Sequence, residues 1–368
     1  MNETTYPGGV ARDARTEDTN VRRAMRSGDD KALLKAAAQL TRGLNTPNPT
    51  IFWLDMLGSA LLGYAALAFA MFGEGTGLRI GAGLLAVLAL YRAGSFIHEI
   101  SHIKKGDLPY FRLVWNALVG VPLFAPSFMY EGVHNQHHAK TKYGTKDDPE
   151  YLPLASMKPW SLPIFMIGGT LAPFLLFFRF AILAPISFVS KRVRDEVVGR
   201  YSGLQINPEF RRERPVGDAA RQFTYQEVAA FAWSWILIAA LVGGVLPLGA
   251  FAIFMGVACG LMGLNQLRTM VAHFWENDTQ EPMSVTAQYL DSVNVPPPGL
   301  LPALWAPVGL RYHALHHLLP GVPYHNLGEA HRRLVAELED SSLYHRTSRR
   351  GLWTLVSHLA SATTGKRA

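Results

Sequence analysis

The chain has 368 residues, of which 49% are hydrophobic and only 17% charged. Soluble domains carry about a quarter charged residues, and here the apolar residues fall in long blocks, so the composition excludes an ordinary soluble globule and points to a membrane protein. The net charge of +7 then reads as basic residues facing anionic lipid or an acidic partner on the cytosolic side, not as a nucleic-acid footprint.

Residues 1–50 form a polar, Arg-rich segment without the apolar core of a signal peptide, and up to about residue 28 the composition is that of a disordered stretch. Residues 51–72 hold one charge, Asp55, near their start. At helical rise they extend about 33 Å, enough to cross a bilayer. The turn GEGTG (73–77) leads into a second span, 78–98, with Arg79 placed to snorkel at its outer end. These two spans make a hairpin. Residues 113–130 are uncharged but short and carry Pro122 and Pro126; residues 159–190 carry Pro163, Pro173, Pro185 and Arg179. Apolarity alone leaves each block free to cross, to dip in and return, or to lie in the interface. Residues 228–267 contain no charged residue and suit two spans, 228–246 and 248–268, broken near Gly243-Gly244 or Pro247-Leu248-Gly249. Cys259 lies there, the single cysteine, which excludes an intrachain disulfide or a cysteine-held iron–sulfur cluster. Arg22, Arg23, Arg26, Lys31, Lys35 and Arg42 precede the first span, Lys104 and Lys105 follow the second, and seven more basic residues lie in 191–214, whereas the turns at 73–77 and 243–249 carry none. The positive-inside rule puts both termini in the cytosol, with 336–368 as a cytosolic helical tail.

Any single histidine reads first as an ordinary structural imidazole. The pattern argues otherwise. His98 and His102 stand four apart in FIHEISH; His134, His137 and His138 lie in EGVHNQHH; His313, His316 and His317 lie in YHALHH; and His273 closes the fourth span in RTMVAHFWEN. Spacings of three and four put side chains on one helix face. Nine imidazoles exceed what one tetrahedral zinc takes, whereas two six-coordinate irons have room for nine and a position to spare. All-nitrogen ligation suits iron, copper, nickel or zinc. For the clusters to meet, 113–130 must dip in and return and 159–190 must make an even number of crossings, most simply none. The expected architecture is an all-α integral membrane protein, 51–335, of four transmembrane helices in two hairpins, with a cytosolic helical cap from 99–227 and 269–335 around a histidine-rich di-metal site.

HEISH, HNQHH and HALHH, in this order around two hairpins, resemble the three histidine boxes of membrane fatty acid desaturases and their hydroxylase relatives. The resemblance runs from about residue 50 to 335, and HHAKTKYGTKDDPEY (137–151) and HHLLPGVPYHNLGEAHRRL (316–334) are similar to the segments that follow the second and third boxes. It implies that the eight box histidines bind two iron ions with O2 as co-substrate, and that the ninth ligand is His273. Acyl-CoA desaturases have an asparagine four residues before that ninth histidine; here the position is Thr269, with Asn265 and Asn277 nearby but not equivalent. The implied reaction is desaturation of an acyl lipid. Sibling reactions on similar scaffolds are hydroxylation and oxidative decarboxylation to a terminal alkene. The electrons must come from outside, since the chain lacks a Gly-rich dinucleotide fingerprint, a cysteine cluster and a fused heme motif: a ferredoxin, rubredoxin or cytochrome b5 with its reductase, docking on the basic stretch 191–214 or leaving that stretch to lipid.

Glu99, Glu131, Asp147, Asp148 and Asn326 stand beside the boxes as candidates to orient the imidazoles. Arg92, Lys104, Lys105 and Arg268 are candidates to hold an acyl carboxylate or head group. His325 and His331 read as surface or supporting residues, His345 and His358 as lying outside the site. His98-Glu99-Ile100-Ser101-His102 also matches the HExxH motif of zinc proteases, but that reading uses two histidines and leaves seven. A metal-storage or transport protein would want charged groups inside the spans, which 228–267 lacks. The setting expected is a bacterial inner membrane, with the site on the cytosolic side.

Overall fold

In a computed structural model, residues 21, 24, 25, 28–104, 106–299 and 301–365 are described, and they form helices and loops with isolated bridges but no strand among them. Residues 1–28, expected to be disordered, fall largely outside the described residues, as does Lys105. Helix α1 is Lys31–Leu40, started by the Asp30 carboxylate accepting the Leu33 N–H. Helix α2, Pro49–Phe72, begins with proline in its first turn and the Asn48 side chain accepting the N–H groups of Thr50 and Ile51. Helix α3, Thr76–His102, returns alongside it. The two approach closely because Gly63 has no side chain: a Cβ there would come within 2.6 Å of Leu90 Cγ. Arg79 donates to the carbonyls of Ala70 and Met71 at 2.9 and 3.3 Å, closing groups that the end of α2 leaves open.

Asp55, the one charge early in α2, accepts two bonds of 2.6 Å from Arg92 of α3 and one of 2.8 Å from the Tyr324 hydroxyl. Arg92, a candidate head-group binder by sequence, has Nε and Nη2 of its guanidinium on Asp55.

Residues 113–130 make only short turns, including a π-helical turn at Asn116–Gly120 and a 3-10 turn at Ser127–Met129. Helix α4 is the single turn His134–His137. Helix α5, Ser161–Thr170, lies against the later apolar hairpin, where Gln266 donates to the Phe165 carbonyl at 3.0 Å. Helix α6, Ala172–Val189, is interrupted by a π-helical turn at Arg179–Leu183, and α7 is Lys191–Tyr201. Helices α8, Gly217–Val242, and α9, Leu248–Met270, form the second hairpin; α8 begins well before the expected residue 228. In chain order α10 is Val285–Asp291, α11 His313–Leu318, α12 Tyr324–Glu337 and α13 Leu352–Thr363.

Among the described residues, five helices are long and apolar enough to cross a membrane: α2, α3, α6, α8 and α9. Four were expected, and α6 is the addition. The outward faces of these helices expose Leu54, Leu61, Leu84, Leu175, Val242 and Leu248, apolar surface that water would not leave uncovered. Phe177 of α6 meets Phe251 of α9 at 5.8 Å between ring centroids. Beyond it, Arg179 of α6 and Arg194 of α7 both reach the buried Glu227 of α8 at 2.5 Å.

Candidate metal centre

Helix α3 packs on α9, so the C-terminal ends of the two helices bring His98 and His102 to the level of His273. The short helices α4 and α11 carry the other two boxes to the same place. All nine histidines singled out by spacing come together, in two groups. His98, His102, His134, His138 and His316 form one; His137, His273, His313 and His317 form the other; within each, the candidate ligand atoms lie within 4.8 Å of one another. Each HxxHH box divides the same way. Its first and last histidines, one helical turn apart, share a group, and its middle histidine serves the other group.

Buried acids and hydroxyls hold the outer ring nitrogens. His137 Nδ1 donates to both oxygens of Asp148 at 3.0 Å, and His134 Nδ1 to Glu150 at 3.1 Å. The Tyr130 hydroxyl lies 2.9 Å from the same His134 nitrogen and donates to Glu150. His273 Nδ1 is 2.9 Å from the Tyr143 hydroxyl and 3.1 Å from that of Ser292, and Tyr143 donates to Asp291. Glu99 lies 3.4 Å from His98 Nδ1 and accepts the Tyr324 N–H at 3.0 Å. With Nδ1 the donor, the inner Nε2 atoms of these rings present lone pairs. Inner Nε2 atoms across the cage lie close together: 2.9 Å for His313 to His273, 3.0 Å for His138 to His134, 3.1 Å for His316 to His138 and 3.2 Å for His317 to His313. The Nε2 atoms of His98 and His102 are buried with no hydrogen-bond partner among the described residues. Converging lone pairs in a buried cage call for a cation, so the donor set fits two metal ions.

Burial, followed by the charge that neighbouring histidines would carry, holds His134, His138, His316 and His317 well below the usual imidazole range, and burial does the same for His273 and His313. They are therefore neutral donors at physiological pH. His137 departs from them: burial opposes its charge, but Asp148 outweighs burial and raises it. Burial pushes Glu150 and Asp291 up to about 7; an inner cation would favour their ionised forms.

His313 is held differently. Arg268 Nη2 donates to its Nδ1 at 2.8 Å, so a neutral His313 carries its proton on Nε2. To hold a metal through Nε2 in this arrangement His313 would have to be an imidazolate, a charge that the Arg268 cation would offset.

Some of the expected supporting residues lie elsewhere. Glu131 pairs with Arg112 at 2.7 Å and accepts from Ser127. Asp147 is exposed. Asn326 bonds His325 and the Leu44 carbonyl. Asn277 holds the Gly144 and Glu281 carbonyls and donates its N–H to Tyr151. Of these four, none is placed on a histidine of the cage. Lys104 is exposed and outside the cavity described below. His331 bonds Tyr344 at 2.8 Å, and His345 and His358 lie at the surface. In 191–214 much of the positive charge is used within the fold: Arg194 on Glu227, Arg200 on Glu196, Arg214 on Asp195, and Arg212 on the carbonyls of Phe128 and Ser202. Glu150, Asp291, Tyr130 and Tyr143 were missed by the sequence reading. Glu150 stood inside the quoted segment 137–151; Asp291 ends an apolar helix, and nothing near it in sequence marks it.

A cavity of about 470 Å³ opens beside the cage. His98, Tyr130, Glu150 and Arg268 line it, Asn265 and Thr269 also face it, its walls include Phe165, Leu176, Leu261 and Met262, and the exposed Arg200 and Tyr201 border it too.

A histidine-caged, two-group site on an apolar helical body defines the class: residues 76–349 match the model of the fatty acid desaturase family, and the chain belongs to that family. Across 343 residues, 93% of this chain and 97% of the relative, it is 47% identical to a ceramide hydroxylase of Caulobacter vibrioides (strain NA1000 / CB15N).

Proposed function

We propose that the chain is a membrane hydroxylase that adds one oxygen atom of O2 to a lipid of ceramide type, at a two-iron centre held by the nine histidines. The observation that carries this reading is the 47% identity, over nearly the whole of both chains, to a protein named for that reaction. It shifts the balance away from desaturation, which the boxes alone favoured and which stays as the second reading through the family model. Iron bound in the cage would supply O2 activation and cleavage of an unactivated C–H bond. The chain's own residues do the rest. Asp148, Glu150, Asp291 and their hydroxyl partners aim the imidazoles. The apolar cavity excludes water and aligns the chain to be attacked. One oxygen atom enters the lipid and the other leaves as water, with two protons and two electrons drawn from a separate ferredoxin, rubredoxin or cytochrome b5.

The reading includes four crossings, by α2, α3, α8 and α9. Helices α5 and α6 start near Gln266 at the histidine end of α9, go down as far as Phe251 and return to Glu227 of α8. Such a dip keeps the loop 139–150 on the side of His98 and His273, the cytosolic side of a bacterial inner membrane. Thiol labelling of cysteines placed at 139–150 tests it; reaction from outside would refute it.

Co-expression with a reductase–ferredoxin pair, a deuterium-labelled ceramide and mass spectrometry tests the reaction. A His316-dependent gain of one oxygen atom supports hydroxylation. A loss of two hydrogens establishes desaturation instead, and one zinc per active chain would revive the HExxH reading.

A further inference from the structure

We propose that Arg268 is the polar anchor of the lipid, and that it directs attack to carbons beside the lipid's polar group instead of the middle of its chain. This rests on the reading of the site as a lipid hydroxylase. Arg268, near the C-terminal end of α9, is only 7% exposed. One nitrogen, Nη2, is fixed on His313. Another, Nε, is buried and has no hydrogen-bond partner among the described residues. The nearby Glu150 is taken by His134 and Tyr130. A guanidinium buried with an open donor is costly unless something accepts from it. Arg268 lines the cavity, so an acceptor for its guanidinium comes from there, an amide, hydroxyl or carboxylate oxygen of a lipid, and reaches Nε, which is closed to solvent, as the side chain turns to meet it.

Position follows from this contact. The guanidinium that would hold the lipid oxygen, at about 2.9 Å, also touches an imidazole of the cage. The carbons next to that oxygen then lie against the cage, and the rest of the chain runs out along Leu261 and Met262. Attack in mid-chain would require another pose, with the polar group held away from Arg268, as on the exposed Arg200, and the chain threaded inward.

The test uses the full chain in lipid nanodiscs, loaded with iron, with N-palmitoyl sphinganine and palmitic acid as probes. Native mass spectrometry reads binding, and fragmentation of the product reads position. Arg268→Met is expected to weaken N-palmitoyl sphinganine binding about tenfold or more, with Arg268→Lys intermediate and Arg200→Met near wild type, the same order holding in the metal-free proteins, so that iron lost through His313 is not read as a lost lipid contact. The product should carry its hydroxyl beside the amide or the sphinganine oxygens. Wild-type binding by Arg268→Met, dependence on Arg200 instead, or a mid-chain product would overturn the anchor. If Arg268→Met does not fold, Arg268→Lys and Arg268→Gln carry the same comparison. Arg268-dependent binding of palmitic acid alone would keep the anchor and remove the ceramide. Failure to hydroxylate either probe would remove the proposed reaction and leave the binding arm to decide on Arg268.

Discussion

Asp147 and Asp148 are neighbours in sequence and opposites in space, which makes them a controlled pair. Asp148 is fully buried, receives His137 Nδ1 on both oxygens at 3.0 Å, and accepts the N–H groups of Gly144 and Glu150 at 2.9 Å each. Asp147 is exposed, and its N–H donates to Thr145. Asp148→Asn keeps the volume and one acceptor but loses the charge and puts donors where an acceptor stood. Losing such support for a ligand imidazole typically costs about 10–100-fold in metal affinity, or roughly 1.4–2.7 kcal/mol. Asp147→Asn should change nothing beyond about 0.5 kcal/mol. The assay is iron retained through graded chelator, read by elemental mass spectrometry, with thermal unfolding of the metal-free protein as a check on folding. Equal iron retention by the two variants would refute the claim that Asp148 holds His137 for a metal.

Other outcomes follow from the same geometry. His316→Ala, inside the five-histidine group, should lose product formation and iron, whereas His358→Ala, at the surface 3.8 Å from Glu276, should keep both; equal activity would remove the ligand assignment. Glu227→Gln leaves the buried Arg179 guanidinium without its 2.5 Å counter-charge, so it should destabilise the protein by about 3–5 kcal/mol, which a shift of less than 1 kcal/mol in denaturation would contradict. Acid should destabilise the metal-free protein. Six histidines outside the spans are held well below 6.5, so the unfolded chain binds protons that the folded chain refuses. Their contribution is present above 6.5 and is lost as pH falls below it, at up to about 1.4 kcal/mol per pH unit for each. The buried carboxyls act in the opposite sense: Glu150 and Asp291, raised to about 7, stabilise at pH below their usual values and lose this as pH rises through about 7. Thermal melts of chelated protein that stay flat between pH 6.5 and 5.5 would contradict the buried neutral histidines.

Periodicity told which histidines share a helix face, and that was enough to gather the nine. It did not divide them, because the division depends on how α4 and α11 are turned toward each other, and long-range packing sets that. The supporting acids were legible only where they sat beside a box. The same proximity rule picks out Asp148, which meets His137, and Glu131, which pairs with Arg112 instead. Asp291 is 18 residues beyond His273 and reaches it only because the chain doubles back, with Asp291 next to Ser292, the residue that His273 meets in an isolated antiparallel bridge. Apolar length likewise marked residues 159–190 without giving their path. Arg179 sits in the middle of that block as a charge without a local partner, and its partner, Glu227, is 48 residues away.

The division of the boxes has a consequence for assembly. Helix α4 has four residues and α11 six, both too short to hold their shape alone. Each supplies histidines to both groups, His134 and His138 against His137 on one, His313 and His317 against His316 on the other. An ion bound in either group therefore orders the helices that the second group needs, and the second ion meets a site whose ordering cost is already met. Iron should load as a pair. Native mass spectrometry at less than two equivalents of iron should show metal-free and two-metal protein as the main species, with the one-metal form scarce. A dominant one-metal form at one equivalent would mean that the two groups assemble independently and that the shared helices are ordered without metal.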